Sequence, residues 1–121
     1  NGKVKYRDIE GTEFPAAAHQ GKLGQNGAME GSKFCQGYVV VYKGGGIPEH
    51  DHETVESYTI IKGHGEMEVD GEKQPVKEGL IFIPGNLKHA LYNTGEEELH
   101  MMFVYAPSII VDHWAKEQSG R

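Results

Sequence analysis

The chain has 121 residues, with 12 Lys and Arg against 18 Asp and Glu and a formal charge of −6 at neutral pH. Its lysines are scattered rather than striped, which argues against a nucleic-acid surface, since that needs a basic face. No apolar run approaches the roughly eighteen residues of a membrane span and no signal-peptide pattern opens the chain; the first residue is Asn1 rather than methionine, so a removed leader stays open.

A chain of this length buries something over 60% of its extended surface, enough for one core, so we read residues 1–121 as a single domain. Seventeen glycines and five prolines at frequent intervals predict short strands joined by turns, hence an all-β barrel or sandwich rather than a helical bundle. The lone Cys35 forbids an internal disulfide and suits a reducing cytoplasm. It adjoins an apolar run and reads as a small buried hydrophobe rather than a nucleophile.

Residues 1–33 form a polar arm punctuated by glycine, with one or two edge strands predicted near Val4 to Ile9. Phe34 to Lys43 (FCQGYVVVYK) opens the barrel core, taken as about 34–107, with a strand that ends at Gly44-Gly45-Gly46. Three glycines suggest a phosphate cradle, but no helix follows to supply a dipole, so they are read as a turn delivering His50 and His52. Val55 to Ile61 is rich in Val, Tyr, Thr and Ile and is predicted extended. Gly63-His64-Gly65 makes a tight turn that leaves His64 exposed, and Glu66 to Val69 followed by Asp70-Gly71 reads as a hairpin. Strands follow at Leu80 to Ile83 and Lys88 to Tyr92, then a turn at Gly95 to Glu98 and a strand from Leu99 to Tyr105. In this last strand His100 alternates with Leu99 and Met101, and parity alone does not assign its face. Pro107 ends the strand. The tail 108–121 carries Ile109, Ile110, Val111 and Trp114, too apolar to hang free, and is expected to pack on the barrel or on a second subunit.

Side chains two apart on a strand share a face, so His50 and His52 project together, and Glu56, Tyr58 and Ile60 share another face. A fourth ligand must come from elsewhere, and His89 is the best candidate. Three imidazoles and a carboxylate suit one divalent transition metal ion, Fe, Mn, Ni, Co or Zn, because Mg and Ca prefer all-oxygen shells and structural zinc usually has cysteines.

Gly44, His50, His52, Glu56 and Gly63 match every position of the first cupin motif, and Pro84, His89 and Asn93 match the second. The chain therefore resembles the cupin superfamily, small single-domain members above all. Asn86 replaces the glycine after Pro84, and Gly79 lies one residue nearer the proline than the pattern states; asparagine tolerates a left-handed backbone, so the turn survives. The resemblance implies a double-stranded β-helix, or jelly-roll, barrel with His50, His52, Glu56 and His89 as metal ligands. It also implies a homodimer.

Cupins perform many reactions, so the fold alone does not choose one. The segment from Pro84 to Pro107, together with Tyr58 two residues after Glu56, resembles the cupin-type dimethylsulfoniopropionate lyases, in which a tyrosine at that place is the base. This implies a lyase or isomerase in which Tyr58 removes a proton next to a metal-bound carboxylate or carbonyl, its pKa lowered from about 10 by the cation. The alternatives are an Fe(II)-dependent dioxygenase and a non-catalytic cupin that binds or senses a small ligand. The expected partner is a small molecule, a carboxylate, keto acid or sugar, with no nucleic acid and no membrane.

Overall fold

The computed structural model describes residues 11–22 and 34–106, and these contain ten strands and no helix. They are β1 (Thr12–Phe14), β2 (Ala18–Lys22), β3 (Cys35–Val41), β4 (Gly46–His50), β5 (Val55–Lys62), β6 (Gly65–Val69), β7 (Glu72–Val76), β8 (Gly79–Ile83), β9 (His89–Tyr92) and β10 (Leu99–Ala106). A six-stranded sheet has the order β1-β2-β3-β10-β5-β8, and a four-stranded sheet has the order β4-β9-β6-β7. Every pairing is antiparallel, and the chain crosses between the sheets as a jelly roll requires.

Period-two alternation decides which side chains enter the core. Along β5, Glu56, Tyr58 and Ile60 are buried while Val55 and Ile61 face outward. Along β10, Leu99, Met101, Phe103 and Tyr105 point inward. They meet Ile47, Met67 and Leu91 of the other sheet in one apolar cluster that also takes in Cys35, which is fully buried as its composition suggested.

The expected strands appear within a residue or two of their predicted ends. Asp70 and Gly71 have φ of 49° and 84°, the left-handed pair that a two-residue turn between β6 and β7 demands. Asn86 has φ of 66°, so it fills the place of the motif glycine at small cost. The strands expected near Val4 to Ile9 and the tail 108–121 lie outside the described residues. Within the arm, β1 and β2 form a hairpin that extends the larger sheet by pairing β2 with β3. Its sequence gave little warning, since Ala18-His19-Gln20-Gly21-Lys22 has almost no β propensity. Side chains pin it instead: Tyr42 donates to Glu13 at 2.6 Å, Glu13 bonds His19, and His19 meets the Tyr38 hydroxyl at 2.9 Å. The bond to Tyr42 holds the Glu13 carboxyl below its usual range and pushes the Tyr42 phenol up to about 12.

The glycine triplet turns the chain from one sheet to the other. Gly44 has φ of 77° in open space, whereas a Cβ on Gly45 would overlap the Ala17 carbonyl oxygen. Asn93 locks the same corner, its amide nitrogen donating to Val41 O at 3.0 Å and Glu97 O at 2.7 Å while its backbone N–H donates to Gly45 O.

The two glycines are separable by experiment. In chemical denaturation Gly45→Ala is expected to cost about 1–3 kcal/mol through overpacking. Gly44→Asn, which keeps a left-handed backbone in open space, is expected to stay within about 1 kcal/mol of the parent. Equal losses in both would show that the turn conformation, not the close approach, sets the requirement.

Candidate metal centre

Four side chains with metal-binding atoms converge where the sheets face each other. Glu56 comes from β5 of the larger sheet, His50 from the end of β4 and His89 from the start of β9 in the smaller one, and His52 from the loop between β4 and β5. His50 and His89 are direct cross-strand partners, with ring centroids 4.2 Å apart and edge to face. The alternation argument for His52 needs amending, because β4 ends at His50 and the chain turns before His52. The two rings still meet, with centroids 5.6 Å apart, through the bend rather than along a strand.

Each imidazole is oriented by the backbone near it. His50 Nδ1 donates to Pro48 O at 2.8 Å and His89 Nδ1 donates to Leu87 O at 2.8 Å. His52 Nδ1 lies 3.1 Å from Thr54 O and 2.7 Å from Thr54 Oγ1. With the proton on Nδ1 in all three, Nε2 carries the lone pair, the tautomer that metal-ligating histidines adopt. The loop bearing His52 is tied in turn to the β8–β9 turn, where Asn86 N–H donates to His52 O at 2.7 Å. A Cβ on Gly85 would overlap the Glu53 carbonyl, so glycine is needed there for the two loops to touch.

The donor set fits a metal ion. One ligand atom from each of the four residues lies within 4.8 Å of the others. Bonds of about 2.1 Å in an octahedral shell place neighbouring ligand atoms about 3.0 Å apart and opposite ones about 4.2 Å apart. Glu56 Oε1 is 3.1 Å from both His52 Nε2 and His89 Nε2. In the tautomers above these contacts set lone pair against lone pair, an arrangement that one divalent cation among the four groups would satisfy. Nitrogen with oxygen favours a first-row transition ion over Mg or Ca.

Electrostatics point the same way. With a proton on Nε2 of His52 and His89 in place of a cation, burial pushes the Glu56 carboxyl up, but the bonds to those two rings and their charge outweigh this and hold it at about 2. Burial, reinforced by repulsion from His89, lowers the His50 imidazole to about 4, so at neutral pH it is an uncharged ligand. For His52 burial works downward, but the bond to Glu56 and the Glu56 charge prevail and raise it. Its position next to the carboxylate therefore favours positive charge.

Tyr58 stands on the inward face of β5 with Glu56, as alternation requires, and is 2% exposed; its ring centroid is 6.1 Å from that of His89, edge on. Tyr105 was not singled out by its sequence, since it ends an unremarkable alternating strand. It pairs with Glu56 across β10 and β5, and its ring lies 5.9 Å from His52. Burial and a hydrogen bond with Cys35, its partner on β3, push the Tyr105 phenol well up and keep it protonated. His64 is exposed beside Gly95 and plays no part. His100 faces outward from β10, buried, with Nε2 3.1 Å from Glu98 Oε1, so it is a satisfied structural histidine.

A cupin-domain family model matches residues 37–105, more than half of the chain. This chain is a cupin. Among curated proteins, the cupin is 33% identical over 72 residues to an uncharacterized protein of Aquifex aeolicus, a match covering 59% of each chain. It is 30% identical over 78 residues to a 5-nitrosalicylic acid 1,2-dioxygenase of a Bradyrhizobium species, covering 64% of this chain and 37% of that one. The matched region thus spans little more than half, or less, of these relatives' length. Among solved structures, a Thermotoga maritima protein described as a predicted oxalate decarboxylase superposes with a TM-score of 0.76 at 21% identity, covering 85% of this chain and 96% of the other. At that identity the likeness concerns the fold.

Two substitutions test the centre. The double variant His50→Ala with His89→Ala is expected to abolish metal copurification in elemental analysis, and unchanged metal content would refute the site. Thr54→Val removes one of the oxygens that orient His52, and metal affinity by competition with a chelator is expected to fall about 10–100-fold.

Proposed function

We propose that this cupin is a metal-dependent enzyme acting on a small carboxylate, keto acid or sugar, of the lyase or isomerase type, and that it removes a proton beside the carboxylate or carbonyl. The observation that carries the reading is the convergence of His50, His52, His89 and Glu56, with the His50 and His89 rings oriented by their Nδ1 bonds to Pro48 and Leu87. A divalent transition ion in such a site acts as a Lewis acid, polarising a bound oxygen and acidifying the neighbouring C–H. His50, His52, Glu56 and His89 would hold such an ion, and it would supply an open position for a substrate oxygen.

In this scheme the residues of the chain have distinct tasks. The three histidines and Glu56 would hold the ion to which the substrate oxygen binds. Tyr58, inward from Glu56 on the same strand and beside His89, accepts the proton from carbon at its phenolic oxygen. Tyr105, kept protonated by burial and its bond with Cys35, is a positioning residue that packs on His52. The surrounding apolar side chains of the barrel exclude competing water from the reacting carbon.

One observation favours a second reading, Fe(II)-dependent dioxygenation: the similarity to the Bradyrhizobium 1,2-dioxygenase. Oxygen decides between them. Turnover of carboxylates, keto acids or sugars that persists without oxygen and with Mn, Ni or Zn supports proton abstraction. Iron-dependent oxygen consumption selects the dioxygenase, and tight ligand binding with no turnover under either condition points to a binding cupin.

Tyr58→Phe is the sharper test of mechanism. It is expected to retain full metal content and lower kcat about 10²–10⁴-fold, the usual worth of a general base. Wild-type turnover in that variant would reduce Tyr58 to a packing residue.

A further inference from the structure

Among the buried polar side chains of the described residues, Thr54, Glu56, His89, Asn93 and His100 all have hydrogen-bond partners. Gln20 differs. It is 4% exposed, and its amide nitrogen, shut off from solvent, meets no acceptor among those residues. A buried donor left unmatched costs more than a typical hydrogen bond returns, so Gln20 lowers the stability of the barrel as it stands.

The strand register shows where the amide points. Gln20 of β2 lies opposite Val39 of β3, and Ala18 lies opposite Val41; residues opposed in this way share a face. Ala18, Val39 and Val41 belong to the interior cluster, whereas Tyr38 and Val40 form a separate cluster on the outer face. Gln20 is therefore aimed into the barrel. The same row continues through Met101 of β10 to Ile60 of β5, two inward positions from Glu56. β2 and β4 start from one corner, where Gly46 N–H donates to Ala16 O at 2.8 Å, and both run toward the end of the barrel that holds the metal centre. β4 ends there at His50, and Gln20 stands part-way along β2.

The wall of the larger sheet between Gln20 and the centre is aromatic and low. The Phe103 and Tyr105 rings are parallel, with centroids 6.0 Å apart, and the Tyr105 ring lies 5.9 Å from that of His52. A Cβ on Gly37 would overlap the tip of the Phe103 ring, so glycine there lets that ring lie back against β3 rather than project across the barrel. Ile47, Ile60 and Leu91 make the rest of the lining apolar, together with Met67 and Met101, whose flexible side chains adapt to a guest.

We propose that Gln20 is a second anchor for the substrate, its amide donating to an uncharged oxygen at the end remote from the metal centre. Four residues of strand separate the rows of Glu56 and Gln20, about 13 Å, so with the reach of the side chains subtracted the two polar ends of the ligand are about 10 Å apart. The anchor is a neutral amide in apolar surroundings, where an unpaired carboxylate would be costly, so the distal oxygen is a carbonyl or a hydroxyl. The class that fits is an acid or keto acid with an apolar middle, rather than a sugar, whose hydroxyls along its length would go unmatched against these walls. This inference rests on the metal centre as the place of the first oxygen and narrows the substrate proposed for it.

The test uses the full chain loaded with Mn and compares octanoate with ω-hydroxyoctanoate, which differ only in a distal hydroxyl. Calorimetry reads the affinities, with propionate as a short acid that reaches the metal centre alone. Because the amide is already stripped of water, the parent is expected to bind ω-hydroxyoctanoate about tenfold tighter than octanoate, the worth of one neutral hydrogen bond. Gln20→Met, similar in length but without a donor, is expected to bind both alike, with Mn content and propionate affinity as in the parent. Since it removes an unmatched donor, the same variant is expected to unfold at a higher denaturant midpoint. A Gln20 that only holds a buried water or braces the hairpin gives the reverse, a lower midpoint with no change in preference, and this overturns the proposal. So does a parent that does not distinguish the two acids. Where propionate still binds in that case, Gln20 alone loses its role; where Mn and propionate are both lost, the metal centre falls with it.

Discussion

The carboxylate of Glu56 is the constraint around which the rest of the molecule is arranged. It is 5% exposed, rises from one sheet, and lies 3.1 Å from imidazoles carried by the other sheet and by the loop that joins them. Burying an unpaired carboxylate costs several kcal/mol, so the group is tolerable only while His52 and His89 are held against it. The scaffolding of His52 and His89 meets this demand: the Nδ1 bonds to Thr54 and Leu87, the Asn86 bond to the His52 loop, and the glycine at 85 that lets two loops touch. The site thus joins the sheets electrostatically at one end of the barrel, while the apolar cluster joins them along its length.

How much of this was legible in the sequence depends on the distance over which each cause acts. Alternation is local, and it grouped Glu56, Tyr58 and Ile60 on one face of β5, whereas in β10 parity alone left the inward face of Leu99, Met101, Phe103 and Tyr105 unassigned. Turn chemistry is local too, so Asp70-Gly71 and Asn86 announced their left-handed backbones. The β1–β2 hairpin was not legible, because it is held by Glu13, His19, Tyr38 and Tyr42, partners up to 29 residues apart, against weak strand propensity. His100 was undecidable for a similar reason: its face depends on the β3–β10 pairing, which no short window contains.

That His50, His52, Glu56 and His89 come together was legible from spacing and from resemblance to the cupin motifs, but the way they converge was not. Alternation was expected to join His50 with His52, yet β4 ends at His50 and His52 reaches the centre from a bend after it, while His89 meets His50 by pairing across β4 and β9. Thr54 and Tyr105 stayed invisible because their roles exist only in three dimensions. Thr54 places two oxygens at His52 Nδ1, and Tyr105 stands opposite Glu56 on a neighbouring strand. Neither residue type at its position signals this without the register.

Strand β5 ties the inner chemistry to the outer surface. Its even-numbered residues from Glu56 to Ile60 face the centre, and its odd-numbered ones from Val55 to Ile61 face outward. Because the period is two, a slip by a single residue would take Glu56 and Tyr58 out of the barrel and bring Ser57 and Thr59 in, disabling both faces at once. The register is held on both sides, by Ile83 and Ile81 of β8 pairing with Glu56 and Tyr58, and by Tyr105 and Phe103 of β10 pairing with the same two residues. The place of the Glu56 carboxylate in the centre thus depends on strand pairings made on both sides of β5 as much as on the imidazoles it meets.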